Sequence, residues 1–250
     1  MLIGGITVIG ARTGPRVAGV LTALPVVAGP IALFVAIEQG PAFEARSALA
    51  TLAALLAVGA FCVGYARTCL HAGWPASLLV GLASFGATTW ALERLAPPFA
   101  GAAALALVAP TLVQRLTPRP PPPQRLRPIT HAGLAARMAA GAALTLCVTA
   151  LADALGPTWS GLLTVFPIAT TVLTVSSHRS QGPEFAVYLL RGLGTGLYGL
   201  AAFFGVLALG LERLGTALAF SLALTALAAI QLALLQRSRH AAPVQAARAD

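Results

Sequence analysis

Charge is scarce in this chain. Of 250 residues, 16 are basic and seven acidic, so charged side chains make up 9%, against about 25% in an ordinary soluble domain. So few cannot clothe the water-facing surface of a soluble protein this long, and most of the exterior must face lipid. Lysine is absent: all sixteen basic residues are arginine, which removes Schiff-base and lysine-nucleophile chemistry. The three cysteines, Cys62, Cys69 and Cys147, are too few and too scattered for a disulfide framework or a zinc site. There is no paired-aspartate motif, no Gly-Asp protease signature, no metal-spaced His/Glu cluster, and no nucleophile with a base at helical spacing. An enzyme is therefore argued against, and no catalytic, metal or cofactor-binding residue is expected.

What fills the chain instead is apolar. Hydrophobic residues make up 58% and the mean hydropathy is +0.84, the composition of an integral membrane protein. A bilayer core about 30 Å thick needs about 20 apolar residues in a helix. Stretches of that kind run over 17–37, 46–66, 75–93, 99–115, 134–153, 158–177, 187–209 and 214–236. A ninth, Leu2–Ala11, covers only about 15 Å as a helix. It lacks the basic leader of a signal peptide and reads either as a half-helix or as the remnant of a longer first helix whose true start lies upstream.

Arginine placement sets the expected orientation, because basic residues collect on the cytoplasmic side. The Pro/Arg-rich stretch Thr117–Thr130 places Arg119, Arg125 and Arg127 there, with Arg115 and Arg137 flanking it. Counting crossings outward adds Arg12, Arg16, Arg67, Arg179, Arg191, Arg237, Arg239 and Arg248, leaving only Arg46, Arg94 and Arg213 outside. The net charge of +9 then reflects contact with the anionic leaflet of the bilayer. A nucleic-acid partner is not indicated, since the arginines cap helices and form no aromatic-interleaved patch. The run Pro120–Pro123 reads as an extended spacer between halves.

The chain repeats itself. Sliding it along itself superposes Gly14–Pro25 (GPRVAGVLTALP) on Gly156–Pro167 (GPTWSGLLTVFP). The same offset, without a gap, superposes QGPAF at 39–43 on QGPEF at 181–185, and ten of the thirty positions from 14 to 43 are identical. Five spans separate the two copies, an odd number, so they are expected upside down relative to each other, with 99–115 as the inverting helix. The expected fold is all-α: a polytopic membrane bundle of about eight to nine transmembrane helices in two inverted repeats (4+1+4). Its parts are residues 1–95 (first repeat, first helix truncated), 96–133 (inverting helix and linker) and 134–250 (second repeat). Inverted repeats recur in secondary transporters, with the site near the midplane between the halves.

The stretch Ser160–Gly192, SGLLTVFPIATTVLTVSSHRSQGPEFAVYLLRG, together with the two helices after it, resembles the small inner-membrane proteins called GlpM. The resemblance covers about 134–236 well and 1–93 more weakly, so the chain looks like a tandem GlpM-like fusion. It implies a bacterial inner-membrane location and a loose connection with exopolysaccharide production, and it transfers no catalytic residue. The 4+1+4 plan is also similar to the drug/metabolite transporter superfamily, on topology alone.

Few residues stand out as a solute path. Pro25 and Pro167 sit at equivalent mid-helix positions, each preceded by a threonine, Thr22 and Thr164, and by Gly19 and Gly161. They read either as two kinked helices lining a path or as packing kinks. The second copy adds Thr170, Thr171, Thr174, Ser176 and Ser177. Of these Thr170, Thr174 and Ser177 share one helical face, facing a cavity or bonding back to their own backbone. Ionisable residues near spans are Glu38, Glu44, Arg46, Asp153, His178, Arg179, Glu184 and Arg191. Most lie close enough to a helix end to reach the headgroups, whereas Arg191 lies inside its span and is placed to pair with Glu184 or with a neighbouring helix. No deep carboxylate is evident, so proton coupling through Glu38 or Glu184 has little support. The leading expectation is a transporter or exporter of a small amphipathic or apolar solute. The alternative is a non-transporting scaffold or accessory protein for envelope or exopolysaccharide assembly.

Overall fold

The computed structural model describes residues 15–25, 28–121, 131–155 and 167–240. Among them the chain is all-helical, with no strand. The helices are α1 (Pro15–Thr22), α2 (Ala28–Glu38), α3 (Pro41–Thr68), α4 (Trp74–Leu95), α5 (Phe99–Leu116), α6 (His131–Leu155), α7 (Ile168–Gln181), α8 (Pro183–Leu214) and α9 (Thr216–His240). Five of these, α3, α4, α5, α8 and α9, are long and apolar enough to cross a membrane. Of the other expected spans, 17–37 is divided into α1 and α2, 158–177 is described only from Pro167 onward, and 134–153 falls within α6, where the described side chains form an apolar stretch over Ala135–Cys147. The residues 1–14, with the short ninth stretch, lie outside the described residues.

The repeated pentapeptide folds the same way twice. After α2, Gly40 takes φ 91, ψ 160 and Pro41 opens α3; after α7, Gly182 takes φ 99, ψ 169 and Pro183 opens α8. Such backbone angles are open essentially to glycine alone, and proline fits the first helical turn because its missing N–H would have had no intrahelical partner. The first turn closes alike in both: the Glu44 amide donates to the Gly40 carbonyl and the Ala186 amide to that of Gly182. The offset that relates the two sequence copies also carries the start of α3 at Pro41 onto that of α8 at Pro183, and the start of α4 at Trp74 onto that of α9 at Thr216.

Packing follows the same exchange. Helix α3 packs on α4 as α8 packs on α9; α2 lies on α3 as α7 lies on α8; and α2 touches α9 as α7 touches α4. The two central helices, α3 and α8, run in opposite directions, because the C-terminal end of α3 (Tyr65, Cys69) meets the entry to α8 (His178, Pro183). Helix α5 touches both. It is antiparallel to α8, with Thr111 beside Tyr198, Gln114 beside Arg191 and Pro120 beside Tyr188.

Burial separates centre from periphery. Over their most apolar windows α3 and α8 are 56% buried, against 22% for α4 and 28% for α5 and α9. The core is Phe61, Tyr65, Leu52, Leu190, Leu197, Phe203 and Leu207 with many alanines. The outer helices turn Leu79, Val80, Trp90, Leu107, Leu222, Leu224 and Leu232 outward, an apolar exterior suited to acyl chains and not to water.

Candidate functional site

Each signature proline stands at the head of a helix. Helix α1 stops at Thr22, the Ala23 amide donates to the Val20 carbonyl at 3.2 Å, and α2 restarts with the Gly29 amide on the Pro25 carbonyl at 2.7 Å. At the equivalent pair of positions in the second copy, the Thr171 amide donates to the Pro167 carbonyl at 2.9 Å. The kink expected at Pro25 is therefore a break: without an N–H, and with its ring against the preceding turn, proline cannot continue the ladder, and its carbonyl founds a new half-helix. Thr164, Gly161 and Trp159 lie outside the described residues.

On the first copy's side the break is sealed. Pro25 is buried and Thr22 half-buried, and α1 lies against α8 so closely that a methyl on Gly19 would fall on the backbone of Leu189, Gly192 and Leu193. One on Gly196 would meet Ala23 and Val20. Gly192 and Gly196 form the small-xxx-small spacing that lets membrane helices touch backbone to backbone. The glycines between and after them serve other neighbours, Gly194 receiving Val113 of α5 and Gly199 receiving Gln231 and Leu227 of α9.

The second copy differs at the same place. Thr170, Thr171, Thr174 and Ser177 of α7 are all buried, Thr174 completely, where α2 carries Ala28, Gly29, Ala32 and Val35. Back-bonding is the habit elsewhere: Thr68, Thr88, Thr89, Thr111, Thr145, Thr195, Ser221 and Thr225 each donate to the carbonyl four residues earlier. The Thr171 and Thr174 hydroxyls do not; both are buried with no hydrogen-bond partner among the described residues. A buried hydroxyl left unbonded costs about 1–3 kcal/mol, so two of them one turn apart, just after the proline, are a concentration of unmet polarity.

Beyond the stripe lies a polar cluster at the end that carries the Pro/Arg-rich linker. The fully buried Tyr65 sets its hydroxyl 3.0 Å from His178 Nδ1. Arg137 donates to Ser180 Oγ at 2.9 Å, and the Arg179 guanidinium sits 5.4 Å over the Trp74 ring. Glu184 is half-buried in the first turn of α8. Burial pushes the Cys69 thiol up to about 12, a backbone hydrogen bond opposing the shift and the Glu184 carboxylate adding to it, so this cysteine is no nucleophile.

Arg191 reaches across to another helix. It is 4% exposed and clamps the C-terminal end of α5. One terminal nitrogen donates to the Gln114 carbonyl (3.2 Å), the Thr117 carbonyl (3.1 Å) and the Thr117 hydroxyl (2.7 Å), the other to Gln114 Oε1 (3.0 Å). Gln114 answers by donating to the Arg191 carbonyl and the Thr195 hydroxyl. A cation at a helix C-terminus, where the peptide dipoles end negative, is well placed. Its role is to hold α5 to α8.

A cavity of about 530 Å³ opens elsewhere, between α3, α5, α8 and α9, lined by Leu52, Ala106, Leu107, Ala201, Ile230 and Leu234 among others. Its one polar lining group, the Tyr198 hydroxyl, is already bonded to Thr111 at 3.1 Å. None of the expected path residues reaches it. Among the described residues no group of three or more His, Cys, Asp or Glu side chains is placed to hold a metal ion.

One buried polar residue was not singled out from the sequence, and another was set near the headgroups. Gln231 is buried on α9, donating to the Gly196 carbonyl at 3.1 Å while its Oε1 finds no partner among the described residues. Glu44, placed by hydropathy at a helix end within reach of headgroups, is 2% exposed. The signal for Glu44 was available in the helical spacing Glu44, Ala48, Leu52, Leu55, which extends the buried face of α3 ahead of the apolar run. No protein-family model, curated protein or solved structure matches this chain.

Proposed function

We propose that the chain is a membrane carrier for a small amphipathic solute, working by alternating access between two inverted copies of a GlpM-like unit in a bacterial inner membrane. The reading rests on one observation above all: Thr171 and Thr174 are buried without partners among the described residues, on a half-helix that starts at a proline. Hydroxyls kept dry and unbonded lower stability unless something else bonds them part of the time, and a passing solute with hydrogen-bonding groups does that. The opposite sense of α3 and α8, the exchange symmetry of the packing and the equivalent helix starts at Pro25 and Pro167 support a fixed site between two rocking halves. Residues assigned to the path are Thr170, Thr171, Thr174 and Ser177, with Tyr65, His178 and Glu184 at its linker end. Arg191 is not among them, and the sealed seam at Thr22 and Pro25 favours a path on the α7 side.

The test is uptake of ethidium, an amphipathic dye, and of a neutral dye of similar size into liposomes holding the purified protein, under an imposed pH or voltage gradient. Uptake that falls in Thr174→Val supports the reading; none of either dye under either gradient removes it. The backbone-tight seam at Gly19 and the apolar character of the 530 Å³ cavity favour a second reading, a non-transporting scaffold for envelope polysaccharide assembly. That reading requires a stoichiometric partner on purification from native membranes and full tolerance of valine at 170 and 174.

A further inference from the structure

Glu44 occupies the fourth position of α3, on the face that continues through Ala45, Ala48, Leu52 and Leu55 into the core. It is 2% exposed, and its carboxyl group makes no hydrogen bond or ion pair among the described residues. The charged side chains at this end of the bundle leave it alone. Arg46 of α3 itself, Glu38 of α2, Glu93 and Arg94 of α4, and Glu212 and Arg213 of α8 are all exposed, and Arg94 is turned over the Trp90 ring. On the remaining helix packed against α3, α5, the charged residue is Arg115, at the opposite end and exposed. Glu184 and the clamped Arg191 of α8 are at that opposite end as well. Among the described residues no cation is paired with the Glu44 carboxylate.

A carboxylate taken out of water with no cation beside it is costly unless it takes up a proton, and an ionisable group buried in a membrane helix without a structural partner points to function.

We infer that Glu44 is a proton-binding site of this protein, its carboxylate taking up one proton to form the neutral acid and returning it in each cycle of the carrier. The coupling half of this inference rests on the transport reading; proton binding itself does not. No other bond forms or breaks, and the equivalent position in the second copy is Ala186, so the site has no counterpart there.

The experiment takes the full-length protein in liposomes with no solute and records infrared difference spectra between about pH 5 and about pH 8, in the carbonyl-stretch region of protonated carboxyl groups. The wild type is expected to lose a carbonyl band on raising the pH, Glu44→Gln to lack that band, and Glu44→Asp to keep it at a displaced frequency. Identical difference spectra for the wild type and Glu44→Gln overturn the inference, and if Glu44→Gln fails to fold, a wild-type band undisplaced in Glu44→Asp does the same. In a second arm, ethidium uptake driven by a pH gradient is expected to fall at least tenfold in Glu44→Gln while voltage-driven uptake stays within about twofold. A pH-driven rate unchanged in Glu44→Gln overturns the coupling. If the wild type moves no dye but the infrared band is lost in Glu44→Gln, the proton site stands and the transport reading falls.

Discussion

Replacing Thr174 by valine exchanges a hydroxyl for a methyl of nearly the same shape, at a fully buried position where that hydroxyl bonds to nothing among the described residues. In most membrane helices the change is close to neutral, because the hydroxyl back-bonds to its own helix and the lost bond offsets the gain in apolarity. Here there is no such bond to lose. An unbonded buried hydroxyl costs about 1–3 kcal/mol, and part of that returns through relaxation around the new methyl, so Thr174→Val is expected to stabilise the folded state by about 1–2 kcal/mol. For a chain of this size a gain of about 1 kcal/mol raises Tm by about 2–4 °C, giving a rise of about 2–8 °C. The assay is thermal unfolding of the detergent-solubilised protein followed by tryptophan emission, wild type and variant side by side, with dye uptake measured on the same preparations. Higher stability with transport reduced about tenfold, equivalent to about 1.4 kcal/mol of lost solute binding, is the expected pair of results. A lower Tm means that the hydroxyl is bonded after all, which refutes the reasoning that makes α7 the path. Adding Thr171→Val should give less than twice the gain, since side chains one turn apart couple.

Other perturbations test the frame around that site. Arg191→Leu leaves the Gln114 and Thr117 acceptors bare and should cost about 3–4 kcal/mol, whereas Arg191→Lys, which reaches fewer of them, should cost about half; a Tm for Arg191→Lys equal to that of the wild type would show that charge alone matters. Gly182→Ala forces a side chain into a backbone conformation open essentially to glycine and should cost about 1–3 kcal/mol, with a matching loss for Gly40→Ala, both read as Tm. N-ethylmaleimide should leave the buried Cys62 and Cys69 unmodified in the folded protein; raising the pH to about 9 should not recruit Cys69, because a thiol held up at about 12 is almost wholly protonated there. Mass spectrometry showing an adduct at either position in the folded protein would contradict this. Reporter fusions after residues 43, 122, 156 and 211 should read external, cytoplasmic, external and external, and a cytoplasmic signal at 43 would contradict the inversion.

What was legible in the sequence was whatever local chemistry determines. The pentapeptides QGPAF and QGPEF were legible as a repeat, and they carry their own geometry, a glycine that alone tolerates φ near 91–99 followed by a proline suited to a first helical turn; the helix starts they mark, Pro41 and Pro183, lie ahead of the expected spans 46–66 and 187–209. The prolines at 25 and 167 announced an interruption but not its extent: whether proline kinks a helix or ends it depends on what covers the freed backbone, and that comes from other helices. Arg191 was recognisably unusual inside an apolar run, yet its partners, Gln114 and Thr117, lie far back in the chain on α5 and nothing in its own neighbourhood points to them. Glu44 was misplaced because hydropathy marks where a helix becomes apolar, while α3 begins more than a turn before that, at Pro41.

The two copies have drifted apart in a way that assigns them different work. Where α2 has Ala28, Gly29, Ala32 and Val35, α7 has Thr170, Thr171, Thr174 and Ser177. On the first copy's side Gly19 of α1 is pressed on the α8 backbone, a contact that resists sliding. The Thr171 and Thr174 hydroxyls of α7 have no partner among the described residues, and a loosely satisfied interface separates at lower cost than a sealed one. Motion between the halves should therefore be lopsided, with α7 parting from its neighbours while α1 stays on α8. Hydrogen exchange in liposomes tests this directly: the amides of α7 just after Pro167 should exchange faster than those of α2 just after Pro25, although both half-helices begin with the same bond. Equal protection would mean that the polar substitutions leave the two interfaces equally firm, and the assignment of the path to the second copy would lose its physical basis.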